Sequence, residues 1–262
     1  MPPPIHILYH SPTLIAVYKP AGMLVHRSWL DTRETVFLTQ TLRDQIGQYV
    51  YPVHRLDRPT SGVMVFALNS DTARELAQQF GNQQISKTYH AIVRGWTAVS
   101  GCINYPLKEE LDNIADKFVQ PNKAAQDAIT DYCTLAQTEL PFASSKHFPT
   151  SRYSLLKITP RTGRKHQIRR HLKHIFHPII GDTTHGDLRQ NKAIQQFCGN
   201  TRLLLHASSL TFRQPESQEI LTINAPFDDE WQRISYAMGL SLRIYSGFNL
   251  NQDKATVTAV YT

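Results

Sequence analysis

The sequence predicts an α+β fold, a mixed and largely antiparallel sheet with flanking helices. Three observations carry that expectation. β-rich runs recur between turn-forming residues, two segments show helical apolar periodicity, and the two kinds of segment do not alternate with the regular spacing of βαβ units. The chain has 262 residues, 41% hydrophobic and 19% charged, enough to bury a core without disulfides or a metal. Residues 1–240 are read as a single domain and 241–262 as a polar C-terminal tail.

The first strand signal is Thr13 to Tyr18, closed by the turn Lys19-Pro20-Ala21-Gly22. A second strand is expected over Val50 to Val53 and a third over Val63 to Leu68, joined by the polar connection His54 to Gly62. Asn69-Ser70-Asp71 offers a helix cap, and Ala73, Leu76, Ala77 and Phe80 then form one apolar helix face. Lys87 to Gly95 reads as a strand with Tyr89, Ala91 and Val93 on one side. Residues 108–150 are read as an irregular insertion, acidic in its first half and Pro-bounded near its end. Strands resume at Tyr153–Ile158, Leu203–Phe212 and Ile220–Asn224, followed by an amphipathic segment from Asp229 to Met238.

The balance of 28 Lys and Arg against 21 Asp and Glu leaves a net charge of +7, which favours a polyanionic partner. Cys102, Cys133 and Cys198 are far apart and odd in number, so neither a disulfide scaffold nor a Cys metal site is expected. The N-terminus lacks the charged start and apolar core of a signal peptide, and no run has the length of a membrane span. A cytoplasmic protein is expected. A monomer is the default, because no conspicuous apolar surface segment requires burial.

Between Arg161 and His177 lie six cations, at 161, 164, 165, 169, 170 and 173, with four histidines and no carboxylate. Thr162 reads as the N-cap of a helix. Ile168, Leu172, Ile175 and Phe176 form its core stripe, and Lys165, Arg169 and Lys173 a cationic column beside it. Charge runs are usually solvated faces, but acidic partners at helical spacing are absent within this one. Phosphate is the expected counter-charge. A membrane surface is disfavoured because the apolar stripe serves the core and lacks Trp. His166, His171, His174 and His177 do not read as metal ligands among so many cations.

In His54 to Gly62, Asp57 stands between Arg55 and Arg58. Alone, it would be a turn residue or a weak surface ion pair. Its place at a strand entrance, with a second arginine source in the 161–177 segment, favours instead a carboxylate held charged by a guanidinium, as general-base or nucleophilic chemistry requires.

H-R-L-D-R-P-T-S-G (54–62) resembles the catalytic signature of pseudouridine synthases of the large-subunit-rRNA synthase A family. K-T-Y-H-A-I-V-R-G (87–95), T-G-R-K-H-Q-I-R-R-H-L (162–172), H-P-I-I-G-D (177–182) and R-L-L-L-H-A (202–207) are similar to further landmarks of that family, in the same order, over roughly residues 7–230. V-H-R-S-W-L-D (25–31), R-D-Q-I-G-Q (43–48) and H-G-D-L-R-Q-N (185–191) resemble a branch that modifies tRNA. Lys165 and Arg170 depart from the wider pattern, which more often has Thr or Ser and Val there.

The resemblance implies a pseudouridine synthase fold with a central active-site cleft and isomerisation of a uridine in tRNA, at uridine 65 of the T stem, without cofactor or metal. The target base would be flipped out of its stem. Asp57 would be the catalytic carboxylate and Arg169 its ion-pair partner. Tyr89 would lie against the uracil, and its hydroxyl could assist deprotonation at C5. Arg55 would fill the vacated space or grip phosphate, Ile168 would line the pocket, and Lys165, Arg170 and Lys173 would track the RNA backbone. The rival readings are an rRNA-directed synthase, a metal-dependent RNA phosphodiesterase with Asp57, Asp182 and Asp187 as ligands, and a non-catalytic RNA-binding protein.

Overall fold

The computed structural model describes residues 3–26, 35–109, 124–145 and 147–240. The tail 241–262, most of the 25–31 motif and the acidic middle of the 108–150 stretch lie outside the described residues.

Ten strands join in one sheet. They are β1 (Ile7–His10), β2 (Leu14–Lys19), β3 (Tyr51–Pro52), β4 (Ser61–Ala67), β5 (Ser86–Arg94), β6 (Ser100–Asn104), β7 (Ile129–Leu140), β8 (Ser151–Pro160), β9 (Leu205–Arg213) and β10 (Ile220–Asn224). Five helices are described: α1 (Leu38–Ile46), α2 (Ser70–Gly81), α3 (Gln167–His174), α4 (Leu188–Cys198) and α5 (Asp229–Ala237). The main strand order is β1-β2-β4-β9-β5-β8-β7-β6, with β3 beside β4 and β10 beside β9. Every pairing is antiparallel except β4 with β9, so the predicted α+β architecture with a mixed, largely antiparallel sheet is the observed one.

Helices cover both faces, which explains why several strands read as continuous apolar runs. All seven residues of β4 are buried. Val63 and Val65 pack toward Leu76 of α2 and Phe212 of β9, while Met64 and Phe66 pack toward Leu38 and Leu42 of α1. In the other half, Ala91, Val93, Leu156 and Ile158 meet Ile168 and Leu172 of α3. Ile92, Tyr153 and Leu155 meet Ile194 of α4 and Trp231 and Ile234 of α5. The Asn69 cap forms as expected, its side chain accepting from the Thr72 amide at 2.8 Å.

Two expectations are corrected. The 108–150 stretch is not irregular throughout, because β7 runs the twelve residues Ile129–Leu140 between β6 and β8. Its exposure alternates while its sequence mixes Thr, Asp, Gln and Glu, so no apolar period announces it. The basic helix begins at Gln167, and His166 rather than Thr162 precedes it, in the left-handed region at φ 55°. Gln167 folds its amide back onto the preceding turn, accepting from Thr162 Oγ1 at 2.7 Å and from the Arg164 amide at 3.0 Å. Those contacts hold 162–166 as a tight turn in place of a first helical turn.

Candidate active site

The strand order brings two distant segments together. Ala207 of β9 registers with Gly62 of β4 on one side and with Tyr89 of β5 on the other. The loop entering β4 and the tyrosine of β5 are therefore roughly two strand spacings, about 10 Å, apart across β9. Gly62 is required at the junction. Its φ is +122°, and a Cβ there would stand 2.1 Å from the Ala207 carbonyl oxygen.

The loop 54–60 is anchored from below by Lys19, whose fully buried ammonium donates to the carbonyls of Pro20, Arg58 and Thr60 at 2.8–2.9 Å. Burial pulls the Lys19 pKa down to about 7, with the charge of Asp57 opposing the shift. Three carbonyl acceptors nonetheless call for three N–H donors, which only the ammonium form supplies. His54 accepts from the Val65 amide at 2.9 Å and stacks on Phe80. Ser61 accepts from Arg202 Nη2 at 2.7 Å and lies 2.8 Å from His206 Nδ1. Arg202 in turn donates to Asp228, which also accepts from the Tyr18 hydroxyl, both at 2.6 Å.

Above this base, Asp57 faces α3. Arg169 Nη1 donates to Asp57 Oδ2 at 3.2 Å, and Arg169 itself is only 4% exposed. The remaining edge of the guanidinium is held bidentately by Asp182, Nε to Oδ2 at 2.7 Å and Nη2 to Oδ1 at 2.8 Å. Asp182 also accepts from the amides of Thr184 and His185 at 2.9 Å. Burial raises the Asp182 pKa, but the bonds from Arg169, His185 and Thr184 outweigh it and leave the carboxyl below the usual carboxylate range. Asp57 is 29% exposed, so its cleft is open to solvent rather than dry. Tyr89 packs beside this centre, and burial and then the Asp57 charge push its hydroxyl pKa up. The hydroxyl is thus a neutral phenol at working pH and not a free base.

The profile of RNA pseudouridylate synthases matches residues 13–174, a span that contains Asp57, Tyr89 and Arg169. The chain belongs to this family. It is 60% identical over 227 residues to tRNA pseudouridine synthase C of Pasteurella multocida (strain Pm70), covering 87% of this chain and 93% of that one. It is 57% identical over 230 residues to the enzyme of the same name from Vibrio vulnificus (strain CMCP6), covering 88% and 94%. Among solved structures, human RNA pseudouridylate synthase domain containing 4 superposes with a TM-score of 0.69 at 24% identity, over 90% of this chain and 94% of that chain. Human RNA pseudouridylate synthase domain containing 1 gives 0.65 at 24%, over 85% and 83%. At that identity the structural likeness speaks for the fold alone.

In this pseudouridylate synthase the structure brings Asp57, Arg169 and Tyr89 together and disperses part of the basic segment. Arg169 is not a member of an exposed cationic column but an internal strut. Arg161 is bound bidentately by Asp131 of β7, at 2.5 and 2.9 Å, so the run is partly compensated by carboxylates distant in sequence. Lys173 is exposed, Lys165 and Arg170 are half-buried, and Arg55 is exposed at the loop. Ile168, 7% exposed, belongs to the core cluster that Tyr89 packs against. Phe176 leaves the predicted core stripe altogether, at 78% exposure. The four histidines diverge. His166 Nε2 lies 3.9 Å from Asp57 and its Nδ1 3.0 Å from His185, His171 bonds Thr130 and the Tyr105 carbonyl, His174 stacks on Tyr105, and His177 bonds the Arg94 carbonyl.

The phosphodiesterase alternative loses its ligands. Asp182 is committed to Arg169, and Asp187 caps α4 and pairs with Arg94 at 2.7 Å. Among the described residues, no three His, Cys, Asp or Glu side chains gather as a metal set. Two functional residues are not legible in the sequence: Lys19, which reads only as part of a turn, and Asp182 as the clamp on Arg169. H-P-I-I-G-D was visible as a motif, but nothing local tells that its aspartate meets Arg169. No helix among the described residues is long and apolar enough to cross a membrane.

Proposed function

We propose that the protein isomerises a uridine of tRNA to pseudouridine, at position 65 in the T stem. The observation that carries this reading is the chain Asp57–Arg169–Asp182, which fixes one carboxylate at an open cleft beside Tyr89. The tRNA assignment is supported by relatives 57–60% identical that are named tRNA pseudouridine synthase C. The position is supported by the motif resemblance at 43–48 and 185–191.

The reaction breaks the N1–C1′ bond, turns the uracil, and joins C5 to C1′, with the C5 proton lost and N1 protonated. Product and substrate are isomers, so no electron donor or group donor enters the balance. A stem uridine is flipped out at a cost of about a few kcal/mol. Asp57 is the catalytic carboxylate, held toward the cleft by Arg169. Tyr89 offers a flat apolar face against which the detached uracil turns. Arg55, exposed at the loop, occupies the space left by the flipped nucleotide, and Lys165, Arg170 and Lys173 follow phosphates. A duplex groove offers side chains little base information, so tRNA shape supplies the selectivity.

Incubation with C5-tritiated, unmodified tRNA tests the proposal, because isomerisation releases tritium to water. Asp57→Asn is expected to abolish release while largely keeping RNA affinity. Carbodiimide-blocked reverse transcription then maps the modified base. Label retained on both tRNA and rRNA would overturn the reaction, and release from rRNA alone would overturn the substrate.

A further inference from the structure

The candidate active site makes no use of Phe176, just past the C-terminal end of α3, where the chain does something physically unfavourable. The helix closes through two bonds, His177 N to Leu172 O at 2.8 Å and Phe176 N to Lys173 O at 3.0 Å. This Schellman closure puts a left-handed residue between them, a position that favours glycine because a Cβ is strained there. Here the residue is Phe176, at φ 64°. At 78% exposure its ring gains little from the core to offset that strain. Arg94 Nη2 donates to the Phe176 carbonyl at 3.0 Å and holds the residue in place.

Phe176 forms a wall of an open groove of about 540 Å³, with Lys173, Arg94, His185, Leu188 and Arg189 also lining it. Leu188 is 66% exposed and adds a second apolar surface. The groove's carboxylate, Asp187, is neutralised by Arg94 and occupied in capping α4. Lys173 and Arg189 are exposed and make no ion pair among the described residues. The groove adjoins the candidate active site, because His185 on its wall touches His166, which lies 3.9 Å from Asp57. An exposed ring flanked by unneutralised cations suits one ligand chemistry well, a nucleotide whose base stacks while its phosphates are paired.

We infer that this groove is a second nucleotide subsite: the base of an unstacked nucleotide of the substrate RNA, other than the uridine at Asp57, stacks on Phe176, with its flanking phosphates on Lys173 and Arg189. The inference rests on the proposal that RNA is the substrate, and it adds a contact outside the reacting base. The left-handed position then has a use, since it projects the ring into the groove instead of into the core.

The test is filter binding of an unmodified tRNA transcript to the Asp57→Asn protein, with and without a change at Phe176. Phe176→Gly is expected to weaken binding about tenfold, within the range for one base–aromatic stack. Phe176→Tyr should bind like the parent. The glycine variant should melt at or above the parent temperature, because the backbone strain is relieved. Replacing Lys173 and Arg189 together by Ala should reduce the slope of log Kd against log salt by roughly 1 to 2. Binding by Phe176→Gly within twofold of the parent overturns the inference, as does a lower melting temperature or an unchanged salt slope. Tritium release by the chain with Asp57 intact is read separately. Binding through Phe176 without release sinks the isomerisation alone, and release with binding indifferent to Phe176 sinks the subsite alone.

Discussion

Replacing Asp182 by Asn removes a charge from the interior with almost no change of shape. Arg169 and Asp182 are 4% and 1% exposed and share bonds of 2.7 and 2.8 Å. Removing one member of such a pair costs about 3–5 kcal/mol, since the surviving ion stays buried without its counter-charge. Asp57 remains 3.2 Å from Nη1 but is 29% exposed, so it compensates only in part and the loss should be about 3 kcal/mol. For a chain of this size that lowers Tm by roughly 6–12 °C. The sign with pH follows from the depressed carboxyl of Asp182. A folded-state pKa below the unfolded value adds stability above about pH 4, and that stability is lost as pH falls through the folded value. The Tm gap between the two proteins should therefore hold from neutral pH to about pH 5 and shrink in stronger acid. Turnover should fall by about 100-fold or more, because a loosened Arg169 no longer fixes Asp57. Thermal denaturation across this pH range, combined with tritium release, reads both effects. A Tm drop under about 2 °C at neutral pH, with turnover close to that of the parent, would refute the strut.

Four further outcomes are expected. Lys19→Met leaves the carbonyls of Pro20 and Thr60 without their donor and should cost about 2–4 kcal/mol in denaturant unfolding, with turnover lost through the loosened 54–60 loop; unchanged turnover would show that the loop needs no anchor. Gly62→Ala drives a Cβ into the Ala207 backbone and should cost about 3 kcal/mol or more, visible as lost soluble yield, whereas a normally folded variant would contradict the β4–β9 approach. His206 is fully buried, and burial holds its pKa down to about 4. Its neutral form contributes stability that is whole above about pH 6.5 and drains away as pH falls toward the folded value, so a Tm that is flat over that interval, or equally steep in His206→Gln, would remove His206 as the cause. Turnover should be indifferent to EDTA, and inhibition reversed by a divalent cation would reopen the metal reading.

Elements that cover themselves with apolar neighbours were legible. β2, β4, β5, β8, β9, β10, α2 and α5 are legible within a few residues of their bounds, because a continuous apolar run, alternation or helical period is imposed by burial on the same segment that displays it. α4 is not, since Ile194 and Gln190 are its only buried residues, and Asp187, a candidate metal ligand in the sequence, is its cap. α1 is not legible either, because a short helix with Thr39 and Thr41 on its buried side shows little contrast. β6 and β7 mix polar and apolar residues along each strand, and a strand stabilised by its ladder needs no apolar period.

For the candidate site, residue types and local spacing draw attention to Asp57 among its arginines, while the roles of Tyr89 and Arg169 come from the family resemblance of their motifs. The tertiary structure decided how they are held. Arg169 lies 112 positions from Asp57 in the chain, and its firmer partner Asp182 reads in the sequence only as a metal-ligand candidate of the rival phosphodiesterase. Lys19 is buried beneath the loop, and Phe176 is turned outward at the end of a helix whose stripe it was expected to complete. Short-range periodicity reports which face of an element avoids water. It carries no record of which elements become neighbours, because that depends on strand order and on where each charge finds its counter-charge.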